Sequence, residues 1–285
     1  MAVSLPWKTR TEKSAEQQRS KRPAPPSWNF AEGTELSPGR FVLDRLGGGN
    51  RYEVHLVWDE RLFALAVAKV LRPHLVADAR ALCELRREAA LLGRLAHPTL
   101  VRAFGCVEDG PHPHLLLEHI EGPTLHRLVR KMGPLAKEQL LTLALHLAST
   151  LHYLGQERIV HLDVKPANVI LAVQPRLIDL SIARSFEDAT RLNRAIGTEG
   201  YMPPEQCLPS ATLGPAADVW SLGATLYFAM SGEKLPRGEH AEPAIPNWVP
   251  APLAQVTRWM LSPVPSNRPL PRQIAEALEC LVRSR

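Results

Sequence analysis

What this chain lacks narrows the field first. Its four cysteines, Cys83, Cys106, Cys207 and Cys280, lie far apart with no C-x-x-C pair. That excludes a thiol zinc site and a thioredoxin-like redox motif, and leaves reduced thiols as the ordinary state of a cytoplasmic protein. Long hydrophobic runs are missing too: the stretch richest in leucine, Leu140 to Leu154, is interrupted by His146, Ser149, Thr150 and His152 and is too short to cross a bilayer. Residues 1–37 hold no apolar segment of the kind a signal peptide requires. No membrane anchor is therefore expected. Nor does one charge sign form a long block. The formal net charge is +5, and apart from modest clusters at Lys8–Arg22 and Arg127–Lys131 the cations are scattered, so nucleic acid is not an expected partner.

Proline, by contrast, is plentiful at 26 residues, which predicts long punctuated loops in a chain of 285 residues. That length suffices for one large or two small cores. Residues 1–37 read as a disordered, basic, proline-containing tail that cannot bury enough surface to fold. Its Trp7 and Trp28 either dock on the folded body or a partner, or have no role. From Arg40 to Leu71 the apolar residues alternate or run short, predicting three antiparallel strands. Ala79–Leu95 switches to helical spacing and His97-Pro98 closes it. Strands are predicted at Val101–Val107 and His114–His119, making a first lobe over residues 38–121 of five strands and one helix. Residues 122–285 read as mainly helical, with helices at Leu125–Lys131, Lys137–Gln156, Ala216–Ser231, Leu253–Leu261 and Pro271–Arg283. A hinge is predicted at Glu118–Gly122, with a nucleotide-sized cleft between the lobes.

Four fragments carry chemistry: L-G-G-G-N-R-Y-E-V from Leu46, A-V-A-K ending at Lys69, H-L-D-V-K-P-A-N from His161, and I-D-L-S from Ile178. Gly47, Gly48 and Gly49 between two strands let backbone N–H groups approach phosphate oxygens, although such a cluster alone is an ordinary hairpin turn. Lys69 ends an apolar strand, and on the buried side it needs a carboxylate partner to stay charged. Glu88 and, one turn earlier, Glu84 are the candidates.

In this order the fragments resemble a protein kinase, of the bacterial, eukaryotic-like (Hanks-type) serine/threonine kind, across about Ser37 to Arg283. The resemblance implies an α+β, bilobal fold with a small antiparallel sheet and one helix in the first lobe and a larger helical second lobe. It puts Glu88 in register as the partner of Lys69. It implies Asp163 as the base that orients and deprotonates a substrate hydroxyl, Lys165 meeting the transferring phosphoryl, and Asn168 and Asp179 as ligands of Mg²⁺ or Mn²⁺. ATP would lie with its adenine between Val54, Val67 and Ile170, its edge bonded by backbone at Glu118 and Ile120, Leu117 behind it and Leu46 at the rim of the glycine loop. Protein serine or threonine side chains are the implied acceptors, and the same resemblance allows self-association for autophosphorylation. Further along, G-T-E-G-Y-M-P-P-E-Q resembles the end of an activation segment, with Thr198 near Asp163 and Glu205 paired to Arg268. D-V-W-S-L-G from Asp218 resembles the helix that props the catalytic loop.

Three positions depart from that pattern. Tyr52 stands where the third glycine is usual, which stiffens the loop. Leu162 replaces the arginine of H-R-D, and a leucine cannot grip a phosphate, so phosphorylation between Ser185 and Thr198 is expected to be dispensable. Ser181 replaces the glycine of D-F-G and restrains inactive conformers. The alternatives are an ATP-binding pseudokinase or scaffold signalling by conformation, and a small-molecule kinase, which the P-P-E and D-V-W-S-L-G segments disfavour. The prolines of Glu233–Pro252 disfavour a regular docking helix there.

Overall fold

The structure, a computed structural model, describes residues 25–192, 195–208, 212–236 and 243–283. A six-stranded antiparallel sheet leads, in the order β1-β2-β3-β4-β6-β5. Its strands are β1 (Glu35–Ser37), β2 (Arg40–Gly48), β3 (Tyr52–Asp59), β4 (Ala64–Leu71), β5 (Ala103–Val107) and β6 (His114–Glu118). Strand β4 shows why the sheet works as a scaffold. Successive side chains point to opposite faces, so Ala66, Ala68 and Val70 join one apolar cluster with Leu36, Val42, Val57 and Leu116. Val67, Lys69 and Leu71 face the other way, where Val67 and Leu71 meet the main core. The register sets Val54 opposite Lys69 and Val67 opposite Leu117.

Helix α1 (Ala79–Arg94) packs on that inner face. The Asp78 carboxylate caps it by accepting from the N–H groups of Arg80 and Ala81, which satisfies two of the free donors at a helix start. Its buried stripe contains Ala81, Leu85, Leu91 and Leu92, but also Glu84 and Glu88. Two buried acids on an otherwise apolar stripe demand partners.

The second lobe is built on α2 (Leu125–Met132), α3 (Lys137–Gln156), α4 (Phe186–Ala189), α5 (Pro215–Ser231), α6 (Ala251–Met260) and α7 (Pro271–Arg283). Along α3, Leu140, Leu143, Ala144, Leu147, Leu151 and Leu154 are buried. Nearly every residue of α5 from Ala217 to Met230 is buried as well, so this helix is the lobe's central strut. Two short antiparallel pairs flank residues 161–168: β7 (Ile159–Val160) with β10 (Arg184–Ser185), and β8 (Val169–Leu171) with β9 (Pro175–Leu177). At the join between lobes Gly122 adopts φ +140, and a Cβ there would lie 2.5 Å from the Leu171 carbonyl oxygen. Only glycine fits that approach.

The sequence reading of five strands becomes six, because β1 lies within residues 1–37. The expected tail is thus ordered at least from Pro25: Trp28 and Phe30 pack over the outer face of the sheet. The physical reason is visible in β4, whose outer residues Ala66, Ala68 and Val70 are fully buried and need a cover. Trp7 and the Lys8–Arg22 cluster lie outside the described residues, as do residues 237–242 of the proline-rich stretch. Among the described residues of that stretch no helix forms before Ala251. The strand expected from Val101 begins at Ala103, since Val101 N–H is bonded instead to the Leu177 carbonyl. Helix α4 and the two short strand pairs had no sequence counterpart. No helix among the described residues is long and apolar enough to cross a membrane.

Candidate active site

Lys69 arrives from the sheet, Glu88 from α1 and Asp179 from the second lobe. The Lys69 ammonium donates to both Glu88 oxygens at 2.8 Å and to Asp179 Oδ1 at 2.7 Å. Burial by itself would discharge the lysine, but the Asp179 and Glu88 carboxylates outweigh that and hold it well above its ordinary value. Burial likewise works against Asp179, yet Lys69 and the Ser181 N–H hold its carboxyl well below the usual range. Glu88 is pushed up by burial, and Lys69 pulls it only part of the way back. Of the two acids considered, Glu88 takes the lysine; Glu84 pairs with Arg51 of the glycine loop and Arg80.

Tyr52 fills the space beneath. Its ring centroid lies 4.7 Å from Lys69 Nζ, a cation–π contact, and burial pushes its phenol up to about 12, so the ring stays neutral. The neighbouring Gly48 has φ +155 and a Cβ there would lie 2.7 Å from the Tyr52 carbonyl oxygen, so this glycine is required by the turn itself. Gly47 also has a positive φ, of +157, and the Gly49 N–H closes the turn on the Tyr52 carbonyl at 2.9 Å.

The second cluster centres on Asp163. Thr198 Oγ1 donates to Asp163 Oδ1 at 2.6 Å, Lys165 Nζ donates to Asp163 Oδ2 and to Thr198 Oγ1 at 2.6 Å each, and Asn168 Nδ2 donates to the Asp163 carbonyl and to Oδ2 at 3.0 Å each. With its amide nitrogen spent on Asp163, Asn168 offers its oxygen. The Asp179 carboxylate and the Asn168 amide are the hard oxygen donors that suit Mg²⁺ or Mn²⁺. No group of three or more His, Cys, Asp or Glu among the described residues could hold a metal by itself.

Two residues beside these clusters sit in the left-handed region, Leu162 at φ 66 and Asp179 at φ 68. Such a conformation costs a non-glycine residue about 1–3 kcal/mol and persists only when the surroundings impose it. At Asp179 the ammonium of Lys69 does so. At Leu162 the constraint comes from Asp218, which accepts the N–H groups of His161 at 2.7 Å and Leu162 at 2.8 Å, and from Gln206 Nε2, which donates to the Leu162 carbonyl at 2.9 Å. Burial pushes the Asp218 carboxyl up to about 7, against the two N–H bonds that work to lower it. The Leu162 side chain is 1% exposed and packs with Val160, Ala189, Leu213 and Ala217, against Ile182, Phe186, Leu192 and Ile196.

The remaining sequence assignments fall around this frame. Val67 and Leu117 face each other across β4 and β6, while Val54, Ile120 and Ile170 are half-buried and Leu46 is exposed. Glu118 ends β6, its side chain bonded by Arg176 at 2.5 Å and its N–H by the Arg102 carbonyl. Glu205 and Arg268 form the expected pair, in a bidentate arrangement at 2.6 and 2.9 Å. Sequence reasoning missed Gln206, and it missed Arg87, whose Nη2 donates to the Ser181 carbonyl at 3.0 Å. Polar residues flanking a motif leave no spacing signal of their own. The outward, second apolar face of β4 was the one available hint of the Trp28 cover.

The chain matches the protein kinase domain family over residues 41–282. It is 35% identical over 204 residues to serine/threonine-protein kinase PknB of Mycobacterium leprae, covering 68% of this chain and 33% of the relative. To serine/threonine-protein kinase PkaA of Streptomyces coelicolor it is 34% identical over 227 residues, 74% of this chain and 42% of that one. It therefore spans about a third to two fifths of the length of these curated relatives. With this match over most of its length, on a two-lobed frame that joins Lys69 to Glu88 and Asp179, the chain belongs to the protein kinase family, and the relatives named here are bacterial serine/threonine-protein kinases.

Proposed function

We propose that this chain transfers the γ-phosphoryl of ATP, with Mg²⁺ or Mn²⁺, to a serine or threonine hydroxyl of a protein, and that it does so without a phosphate on its activation segment. The observation that carries the reading is the Asp163 carboxylate: it already accepts a hydroxyl, that of Thr198, at 2.6 Å. A carboxylate aimed at one alcohol is placed to orient another and take its proton. Lys165, 2.6 Å from both Asp163 and Thr198, supplies positive charge beside the reacting oxygen. Lys69 would bind phosphate oxygens, and Glu88 keeps it in place at the cost of a buried but fully bonded charge. The metal, held by Asn168 and Asp179, would neutralise charge on the phosphates. Independence from a phosphate is supported by Leu162, whose apolar contacts hold the catalytic loop against the activation segment where a guanidinium–phosphate pair would otherwise be needed.

The test is incubation of the purified chain with γ-labelled ATP and Mg²⁺ or Mn²⁺ and a generic protein acceptor. Label on Ser or Thr that falls about 10²–10⁴-fold in Asp163→Ala, with nucleotide affinity nearly intact, is the expected result. Label that persists in the variant would overturn the mechanism. A nucleotide-dependent rise in melting temperature without transfer would instead favour the scaffold reading, and transfer to a metabolite alone the small-molecule kinase.

A further inference from the structure

The outer cover of the sheet is joined to the glycine loop through one guanidinium. Arg72, 5% exposed just beyond β4, donates from Nη1 to the carbonyls of Pro26 at 2.9 Å and Pro25 at 3.3 Å and to Glu53 Oε1 at 3.0 Å. From Nε it donates to the Gly49 carbonyl at 2.6 Å, and its backbone N–H donates to the Arg51 carbonyl at 2.9 Å. Trp28 fastens the other side of the cover: its backbone N–H donates to Glu53 Oε1 at 3.1 Å and its indole N–H to the Leu71 carbonyl at 2.7 Å. Edge-on contact with His112 and stacking on Phe30 complete its seat.

We propose that Arg72 and Trp28 are positioning residues for the loop that covers the ATP phosphates, so that residues 25–30 set nucleotide affinity from outside the cleft. The inference rests on the phosphoryl-transfer reading above. In a trans peptide the carbonyl and the following N–H point in opposite directions. Holding the Gly49 carbonyl toward Arg72 therefore fixes the direction of the Asn50 N–H, and holding the Arg51 carbonyl does the same for the Tyr52 N–H, two peptides later. Such oriented N–H groups are what a glycine loop presents to phosphate. A lysine at position 72 would keep a charge beside Glu53 but could not span both the Pro26 and Gly49 carbonyls, because it lacks the planar fork. Packing alone would give the cover a role in stability only, and the two roles separate experimentally.

The experiment compares the full chain with Trp28→Ala, Arg72→Lys and, as a control in the other lobe, Trp259→Ala, whose indole N–H bonds the Asn267 carbonyl at 2.8 Å. Equilibrium binding of Mg·ADP, KM for ATP, kcat and amide exchange of residues 46–52 in the nucleotide-free protein are measured. Trp28→Ala and Arg72→Lys are expected to weaken Mg·ADP binding and raise KM by about 10-fold, a 1.4 kcal/mol effect. In both, kcat changes less than about two-fold and exchange in the loop quickens. Trp259→Ala leaves all of these at the parent level while lowering the melting temperature. If Trp28→Ala does not fold, Arg72→Lys decides. A lower melting temperature with unchanged Mg·ADP affinity and unchanged exchange at 46–52 would overturn the proposal. Failure of the parent to transfer label would reject the kinase reading instead, and the exchange measurement would still report whether the cover holds the loop.

Discussion

Two aspartates, Asp218 buried and Asp179 partly exposed, flank residues 161–168, and their carboxyls are shifted in opposite directions. Asp179 is bonded by an ammonium and held well below the usual carboxylate range, whereas Asp218 accepts two backbone N–H groups and is pushed up to about 7. The difference teaches that backbone dipoles orient a buried carboxylate without offsetting its desolvation, while a full opposite charge does both. The same contrast separates the two joints of the active site. The joint at Lys69 is electrostatic and links the lobes; the joint at Leu162 is apolar and links the catalytic loop to the activation segment. An electrostatic joint can be opened by a competing anion such as a phosphate, and an apolar joint cannot.

The largest break should come at the charged joint. Lys69→Met leaves the buried Glu88 carboxylate and the partly exposed Asp179 carboxylate without their shared cation, so label transfer is expected to fall at least about 100-fold, with nucleotide affinity reduced as well. Steady-state transfer together with equilibrium binding of Mg·ADP checks this, and retention of both would show that the ion pair is incidental.

The apolar joint should break on receiving charge. Leu162→Arg is expected to cost about 3–5 kcal/mol in urea unfolding, because the cation has no carboxylate among Val160, Ala189, Leu213 and Ala217. Leu162→Met, similar in volume, is expected to cost less than about 1.5 kcal/mol and keep its activity. Equal stability of the two variants would mean that the cluster is not packed as described.

A pH series sharpens the comparison of the aspartates. Because the folded-state pKa of Asp218 lies above its unfolded value, its protonated form favours folding; that contribution is fully present below about 4 and is lost as pH rises through about 7. The stability advantage of the parent over Asp218→Asn should therefore shrink by a few kcal/mol between pH 4 and pH 8. Asp179 works in the opposite sense, contributing above the unfolded value and losing its contribution as pH falls through its depressed one. A gap that widens with pH would contradict the assignment for Asp218.

The smallest effects are expected in the activation segment. Ser185 caps α4 by accepting the Asp188 N–H, and Thr190 bonds the Glu187 carbonyl; neither touches the Asp163 cluster. Ser185→Ala and Thr190→Ala should each change the transfer rate less than about two-fold, whereas Thr198→Ala, which removes a bond to Asp163, should cost about 10-fold. Single-turnover rates would reveal a larger effect at the first two.

The Lys69–Glu88 half of the charged joint was legible before the structure because the resemblance places both residues, whereas Asp179 was expected only as a metal ligand and its bond to Lys69 was not foreseen. Glu88 over Glu84 was decided by register. The two-lobed frame followed from the change of hydrophobic period near Gly122. Less was legible at the apolar joint. Leu162 was seen as a missing arginine, but its neighbours Ala189, Leu213 and Ala217 come from distant positions, and no local pattern joins them. The Trp28 cover was hidden for a related reason: residues 25–37 follow a polar, proline-bearing stretch, and only the doubly apolar β4 implied that something must lie over it.

The central claim is that packing at Leu162, and not a phosphate, holds this site assembled. The most direct measurement is a pre-steady-state time course of label transfer by the chain after complete phosphatase treatment and removal of the phosphatase. The account predicts transfer at full rate from the first turnover, with no lag and no gain from pre-incubation with ATP. A lag that pre-incubation abolishes, or a rate about 10-fold below that of the untreated chain, would contradict it.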